Sequence, residues 1–222
     1  MPVKKFVQVC FDISKAFDRV WHAGLLSKLK YSGLSNSFLA WFSNYLSNRQ
    51  QRVIIPGGAS EWVNIGAGVP QGSILGPLLF LIYINDITIG IRSNIRLFAD
   101  DTSLYFIVDT PNNAAQSLNI DMNTISQWAE KWLVKFNPSK TESMLISRKQ
   151  GYQNHPMLSF QNTLISNVSN HKHLGVLFSD DGSWHNHIEH IKDKAWKRIH
   201  IMQKLKFQLD RKSLETIYKK FY

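Results

Sequence analysis

The chain has 222 residues, 44% of them hydrophobic, and a formal net charge of +10 from 26 Lys and Arg against 16 Asp and Glu. That is enough apolar material for one or two domains with a real core, and the basic excess suits a polyanionic partner. A single cysteine, Cys10, excludes an internal disulfide framework, and the longest apolar run, Leu78 to Ile84, is too short to span a bilayer. With no signal peptide at Met1, an intracellular site in cytoplasm or nucleus is expected.

Val3 to Ile13 is expected to be a strand, because Val7, Val9, Phe11 and Ile13 recur every second residue. A helix follows over Asp18 to Leu29, and Ser35 is a plausible N-cap for a second helix through Phe38, Trp41, Phe42 and Tyr45. Arg52 to Ile55 and Glu61 to Ile65 predict two strands joined by a turn at Pro56, Gly57 and Gly58. After a loose Gly66 to Ser73 stretch, Gly76 and Pro77 open an apolar helix from about Leu78 to Ile84.

Strand-like runs Ile95 to Ala99 and Thr102 to Val108 flank Asp100 and Asp101, which predicts a tight hairpin. Leu118, Ile125, Trp128 and Trp132 then mark a long helix ending near Asn137 and Pro138. Three short strands are expected at Glu142 to Ser147, Thr163 to Val168 and His173 to Phe178. A last helical region from Ser183 carries Ile188, Ile191, Ala195, Ile199, Met202 and Leu205 on one stripe, with Lys194, Lys197 and Lys204 largely away from it. From Ile191 to Tyr222 there are ten Lys or Arg and three acids, so much of the net charge lies there. Helices and short strands without regular alternation indicate an α+β fold with a mainly helical end.

The chemistry concentrates in three carboxylates. Asp12 ends one strand, and Asp100 and Asp101 sit in the hairpin. Unpaired carboxylates at one sheet edge repel unless a cation joins them, and Mg²⁺ is the hard ion that takes such oxygens together with phosphates. That is the outline of a phosphoryl-transfer site. The cluster His185, His187 and His190 has no accompanying Cys and is expected to be structural or solvated, and the seven Trp are expected in core and interface.

In order along the chain, Asp12 with Ala16 and Phe17, then Pro70, Gln71 and Gly72, then Phe98, Ala99, Asp100 and Asp101 resemble the palm of a reverse transcriptase. Phe136 to Glu142 resembles the family's next motif, and His173, Leu174, Gly175 and Val176 its primer grip. The wording is similar to the jockey-like, non-long-terminal-repeat retrotransposon branch. The resemblance implies an antiparallel palm with packed helices over residues 1–170, then primer grip and a partial helical thumb over 171–222. It implies an RNA-directed DNA polymerase, a nucleotidyltransferase that extends a DNA primer on an RNA template with deoxynucleoside triphosphates.

By that resemblance Asp12, Asp100 and Asp101 are catalytic and metal-binding, holding two Mg²⁺ ions roughly 3.5–4 Å apart, with Mn²⁺ as a substitute. Phe17 matches the position that crowds a ribose 2′-hydroxyl, Gln71 and Gly72 match the nucleotide pocket, and Lys140 matches a residue assisting the leaving pyrophosphate. Only eleven residues precede Asp12, so the family's fingers are expected to be largely absent and the isolated chain to polymerise poorly. The alternative expectation is a nucleic-acid-binding remnant of a retrotransposon polymerase without catalysis.

Overall fold

The computed structural model describes residues 5–108, 111–147 and 157–221. The first half runs β1 (Lys5–Phe11), α1 (His22–Tyr31), α2 (Asn36–Leu46), β2 (Arg49–Gln51), β3 (Ile54–Ile55), β4 (Gly58–Ala59), β5 (Val63–Ile65) and α3 (Leu75–Ile84). The hairpin strands β6 (Asn94–Phe98) and β7 (Asp101–Val108) come next, then α4 (Pro111–Lys131) and β8 (Glu142–Ile146). Short strands β9 (Ser159–Phe160), β10 (Thr163–Leu164), β11 (Ser166–Asn167), β12 (Asn170–His173) and β13 (Val176–Ser179) lead to α5 (His185–Leu205) and α6 (Arg211–Phe221). The mixed α+β expectation holds. Val3 and Lys4, the expected start of the first strand, lie outside the described residues.

The organising element is a five-stranded sheet in the order β11-β8-β1-β7-β6, antiparallel except where β11 runs parallel to β8. Alternation along a strand gives β1 two different faces. Val7 and Val9 are fully buried and Phe11 nearly so, while Gln8, Cys10 and Asp12 belong to the other face. The core lies under the Val7 face. Leu118, Met122, Ile125 and Ala129, spaced by one helical turn or two, are all buried along α4, and α4 packs on β7. Phe11, Phe136 and Phe160 meet edge to face with ring centroids 5.1–5.7 Å apart. Each such buried side chain contributes about 1.5–3 kcal/mol.

A polar clamp ties three helical segments together. Lys28 of α1, buried to 7% exposure, donates from Nζ to the Tyr83 carbonyl and to Asp86 Oδ1, both at 2.5 Å. Its ammonium lies 3.8 Å from the Trp132 ring centroid, and Trp128 Nε1 donates to the same Asp86 oxygen at 2.8 Å. Burial lowers the Lys28 pKa, with Asp86 opposing that effect.

Several boundaries differ from expectation for local reasons. The expected helix over Asp18–Leu29 starts late: a 3₁₀ turn at Ala16–Arg19 precedes α1, entered through Lys15 in the left-handed region at φ 51°. The expected strand from His173 to Phe178 is instead half of a hairpin. Leu174 and Gly175 both take positive φ, 49° and 84°, as a two-residue turn of that hand requires. The expected strand from Thr163 to Val168 divides between β10 and β11, and the last helical region divides into α5 and α6. Of the seven Trp, Trp128 and Trp132 pack against the core, whereas Trp21, Trp41, Trp62, Trp184 and Trp196 are exposed.

Candidate active site

Antiparallel register brings the carboxylates together. The β1–β7 ladder ends where Phe11 pairs with Thr102, so Asp12 and Asp101 are the residues just beyond its last pair. Phe98 pairs with Asp101, leaving Ala99 and Asp100 as the whole turn. Ala99 takes φ 52°, a left-handed conformation that costs a residue with a Cβ about 1–2 kcal/mol. Asp12 is half-buried, Asp100 and Asp101 are exposed, and among the described residues none of the three is in a salt bridge.

The segment after Asp12 is held from two sides. On one side Val69 N–H donates to the Phe17 carbonyl and Gly68 N–H to the Val20 carbonyl, both at 2.8 Å, while the Gly68 carbonyl accepts from His22 Nε2 at 2.7 Å. Gly68 lies at φ +94°, and a Cβ on it would meet the Asp18 backbone oxygen at 2.8 Å. Only glycine fits this close approach. Gln71 Nε2 then donates to Asp18 Oδ1 at 2.8 Å. Gly72, at φ +81°, has open space where a Cβ would stand, so its backbone conformation alone calls for glycine. Phe17 is half-buried and packs on Phe80 with ring centroids 4.6 Å apart.

On the other side the residues after α4 dock on the Asp12 backbone. Asn137 N–H donates to the Asp12 carbonyl and Ser14 N–H to the Lys135 carbonyl, each at 2.8 Å, and Ile13 bridges Phe136. The 3₁₀ turn Pro138–Lys140 follows, leaving Lys140 exposed. Thus Asp12, Phe17, Gln71, Gly72, Asp100, Asp101 and Lys140 all lie on segments that meet around the end of β1.

Three features of this region were not singled out in the sequence. An open cleft of about 770 Å³ between the Ala16–Arg19 turn and the Gly68–Gln71 segment is lined by Lys15, Arg19 and Arg49 with Asp18 and Gln71. The β12–β13 hairpin reaches back to the sheet, where a His171 Nδ1 pairs with Glu142 Oε2 at 2.7 Å. Asp121, fully buried on α4, accepts from the Arg92 and Ser93 amides at 3.0 and 2.7 Å, fixing the entry to β6 and thereby the aspartate hairpin. Cys10 of β1 lies on the same strand face as Asp12. Burial, with Glu142 and Asp101 adding to it, pushes the Cys10 thiol up to about 12. Of the discounted histidines, His187 Nδ1 accepts from the Leu177 amide at 3.2 Å, a structural role.

Comparison with known proteins agrees with this architecture. The family model described as reverse transcriptase (RNA-dependent DNA polymerase) matches residues 4–191. The RNA-directed DNA polymerase of mobile element jockey from Drosophila funebris is 31% identical over 228 aligned residues, covering 97% of this chain and 25% of that protein. A probable RNA-directed DNA polymerase from transposon BS of Drosophila melanogaster is 29% identical, covering 94% and 24%. The chain therefore spans about a quarter of the length of these relatives. Among solved structures, apo telomerase from Candida tropicalis truncated from its C-terminal domain shares the fold at a TM-score of 0.50 and 12% identity, covering 81% of this chain and 35% of that one. With a family match over most of its length and the palm-like sheet just described, the chain belongs to the reverse transcriptase (RNA-dependent DNA polymerase) family.

Proposed function

We propose that this chain carries the catalytic palm of an RNA-directed DNA polymerase, a nucleotidyltransferase adding deoxynucleotides to a primer 3′-hydroxyl on an RNA template. The observation that carries the reading is the strand register that ends the β1–β7 ladder between Asp12 and Asp101, with Asp100 in the adjoining turn. Residues 1–170 form the palm in this reading, and residues 171–222 the primer grip and part of a helical thumb.

The carboxylates of Asp12, Asp100 and Asp101, carried on neighbouring strand ends and the β6–β7 turn, two of them exposed and none in a salt bridge among the described residues, are hard oxygen donors of the kind Mg²⁺ takes. Asp12, Asp100 and Asp101 would hold two Mg²⁺ ions, with Mn²⁺ as a substitute. When bound, such ions activate the attacking hydroxyl and offset the charge on the leaving pyrophosphate. The chain's own residues do the positioning. Lys15, Arg19 and Arg49 set positive charge along the cleft beside Gln71, where a triphosphate would be drawn in. Phe17, five residues after Asp12 and next to the cleft residue Asp18, would crowd a ribose 2′-hydroxyl. Lys140, held near Asp12 by the Asn137 contact, would serve the pyrophosphate as cation or proton donor.

The test grafts residues 4–191 in place of the matching segment of a jockey polymerase and measures primer extension with Mg²⁺. Asp100→Ala and Asp101→Asn should each lower extension by several orders of magnitude while primer-template binding persists. Extension at the parental rate by the Asp100→Ala protein would refute the assignment. Binding without extension by the unsubstituted graft would favour a remnant that only holds nucleic acid.

A further inference from the structure

A second cluster of ligating groups shares the Asp12 face of β1 but differs in its donors from the three aspartates. The Cys10 sulfur, one ring nitrogen of His171 and one of His173 all lie within 4.8 Å of one another. Cys10 projects from the middle strand, paired with Ser103 on one side and Glu142 on the other, and it is 8% exposed. The two histidines come from β12, alternate residues on one face of the strand that ends in the Leu174–Gly175 turn. Their rings are tilted by 32° with centroids 6.1 Å apart.

The donor set differs in kind from that of the aspartates. One sulfur and two imidazole nitrogens suit a borderline ion such as Zn²⁺, which accepts Cys and His in tetrahedral sites, and they are poor ligands for Mg²⁺. A further contact is characteristic of ligating histidines: His171 Nδ1 is bonded to Glu142 Oε2 at 2.7 Å. A carboxylate on one ring nitrogen fixes the imidazole's tautomer and orientation and leaves the other nitrogen, Nε2, to a metal. Glu142 also adds negative charge beside the thiol, which favours a cation there.

We infer that Cys10, His171 and His173 bind one Zn²⁺ ion, with Glu142 orienting His171 and a water completing four-coordination. On binding, the sulfur gives up its proton to the buffer and the thiolate becomes the ligand. The ion ties the β12–β13 hairpin to β1 two residues from Asp12. This site is independent of the polymerase reading, and either can fail without the other.

Co²⁺ is the probe for the test, because a thiolate ligand gives it a charge-transfer absorption that carboxylates do not. The purified 222-residue chain should show that band with one Co²⁺ bound, and Zn²⁺ should abolish it by displacement. Cys10→Ser should lose the band. His171→Ala and His173→Ala, checked for folding by circular dichroism, should each weaken Co²⁺ binding more than about tenfold, and Glu142→Gln about 10–100-fold. Asp12→Asn should keep the band. Absence of a thiolate band in the folded wild-type chain, or a band of unchanged affinity in both folded histidine variants, would overturn the site.

Discussion

Phe17 has a packing role and, in the proposed reading, a second role in selecting the sugar. Its ring rests on Phe80, an aromatic pair worth about 0.5–1.5 kcal/mol beyond buried area, and its carbonyl anchors Val69. Phe17→Val should therefore destabilise the chain by about 1–3 kcal/mol and also lower the preference for deoxyribonucleotides over ribonucleotides, measured as the ratio of their kcat/KM values in the jockey graft. A fall in stability with an unchanged ratio would make the ring packing alone. Cys10 offers a residue-scale test that needs no activity. Its thiol is held at about 12 in the folded chain against an ordinary 9.0. Because the folded value is raised, the associated stability is complete below pH 9 and is lost as pH climbs from about 9 toward 12, on the order of a few kcal/mol. At pH 9, iodoacetamide should alkylate folded Cys10 at least about tenfold more slowly than the urea-unfolded chain. Equal rates would show an exposed, ordinary thiol.

At the scale of elements, the aspartate hairpin is aimed by a contact from another part of the chain. Asp121 of α4 takes both the Arg92 and Ser93 amides, so the start of β6 is fixed to the helix beneath the sheet. Asp121→Ala leaves those donors without an acceptor, one of them in a buried residue, and should cost about 2–4 kcal/mol. Urea unfolding should show a lower midpoint with an unchanged slope, and Asp121→Asn, which keeps one acceptor, should lose less. An Asp121→Ala midpoint equal to wild type would mean the loop is held by other contacts. Gly68 plays the corresponding part for the Gln71 segment, where backbone meets backbone and no side chain fits.

Over the whole molecule, charge and fold are unevenly distributed. The core lies in the sheet and the helices on its Val7 face, whereas α5 has no buried residue and its Lys194, Lys197 and Lys204 are exposed. Its apolar stripe is exposed as well, at Ile188, Ile191 and Ile199. No helix among the described residues is long and apolar enough to cross a membrane. Phosphate contacts through such lysines release counterions, so binding of a primer-template should weaken at least about tenfold between 50 and 200 mM salt. Replacing Lys194, Lys197 and Lys204 with Gln should flatten that dependence without changing sequence preference. Affinity that does not move with salt would argue against a phosphate-binding role for this face.

The α+β class, the order of elements and the candidate motifs were legible in the sequence, because periodicity, turn residues and motif order are local properties of a chain. It marked β1, the long helix α4 and the turn at Asp100 without help from distant residues. It missed the Leu174–Gly175 hairpin, since a leucine at positive φ sends no propensity signal, and it merged α5 with α6. Which residues meet depends on how the elements pack. The pairing of Phe11 with Thr102, the hold of Asn137 on the Asp12 carbonyl, the seat of Asp18 against Gly68 and the pairing of His171 with Glu142 join residues from 29 to 125 positions apart. Such contacts follow from sheet register and from helix packing against one face, which no short window of sequence contains.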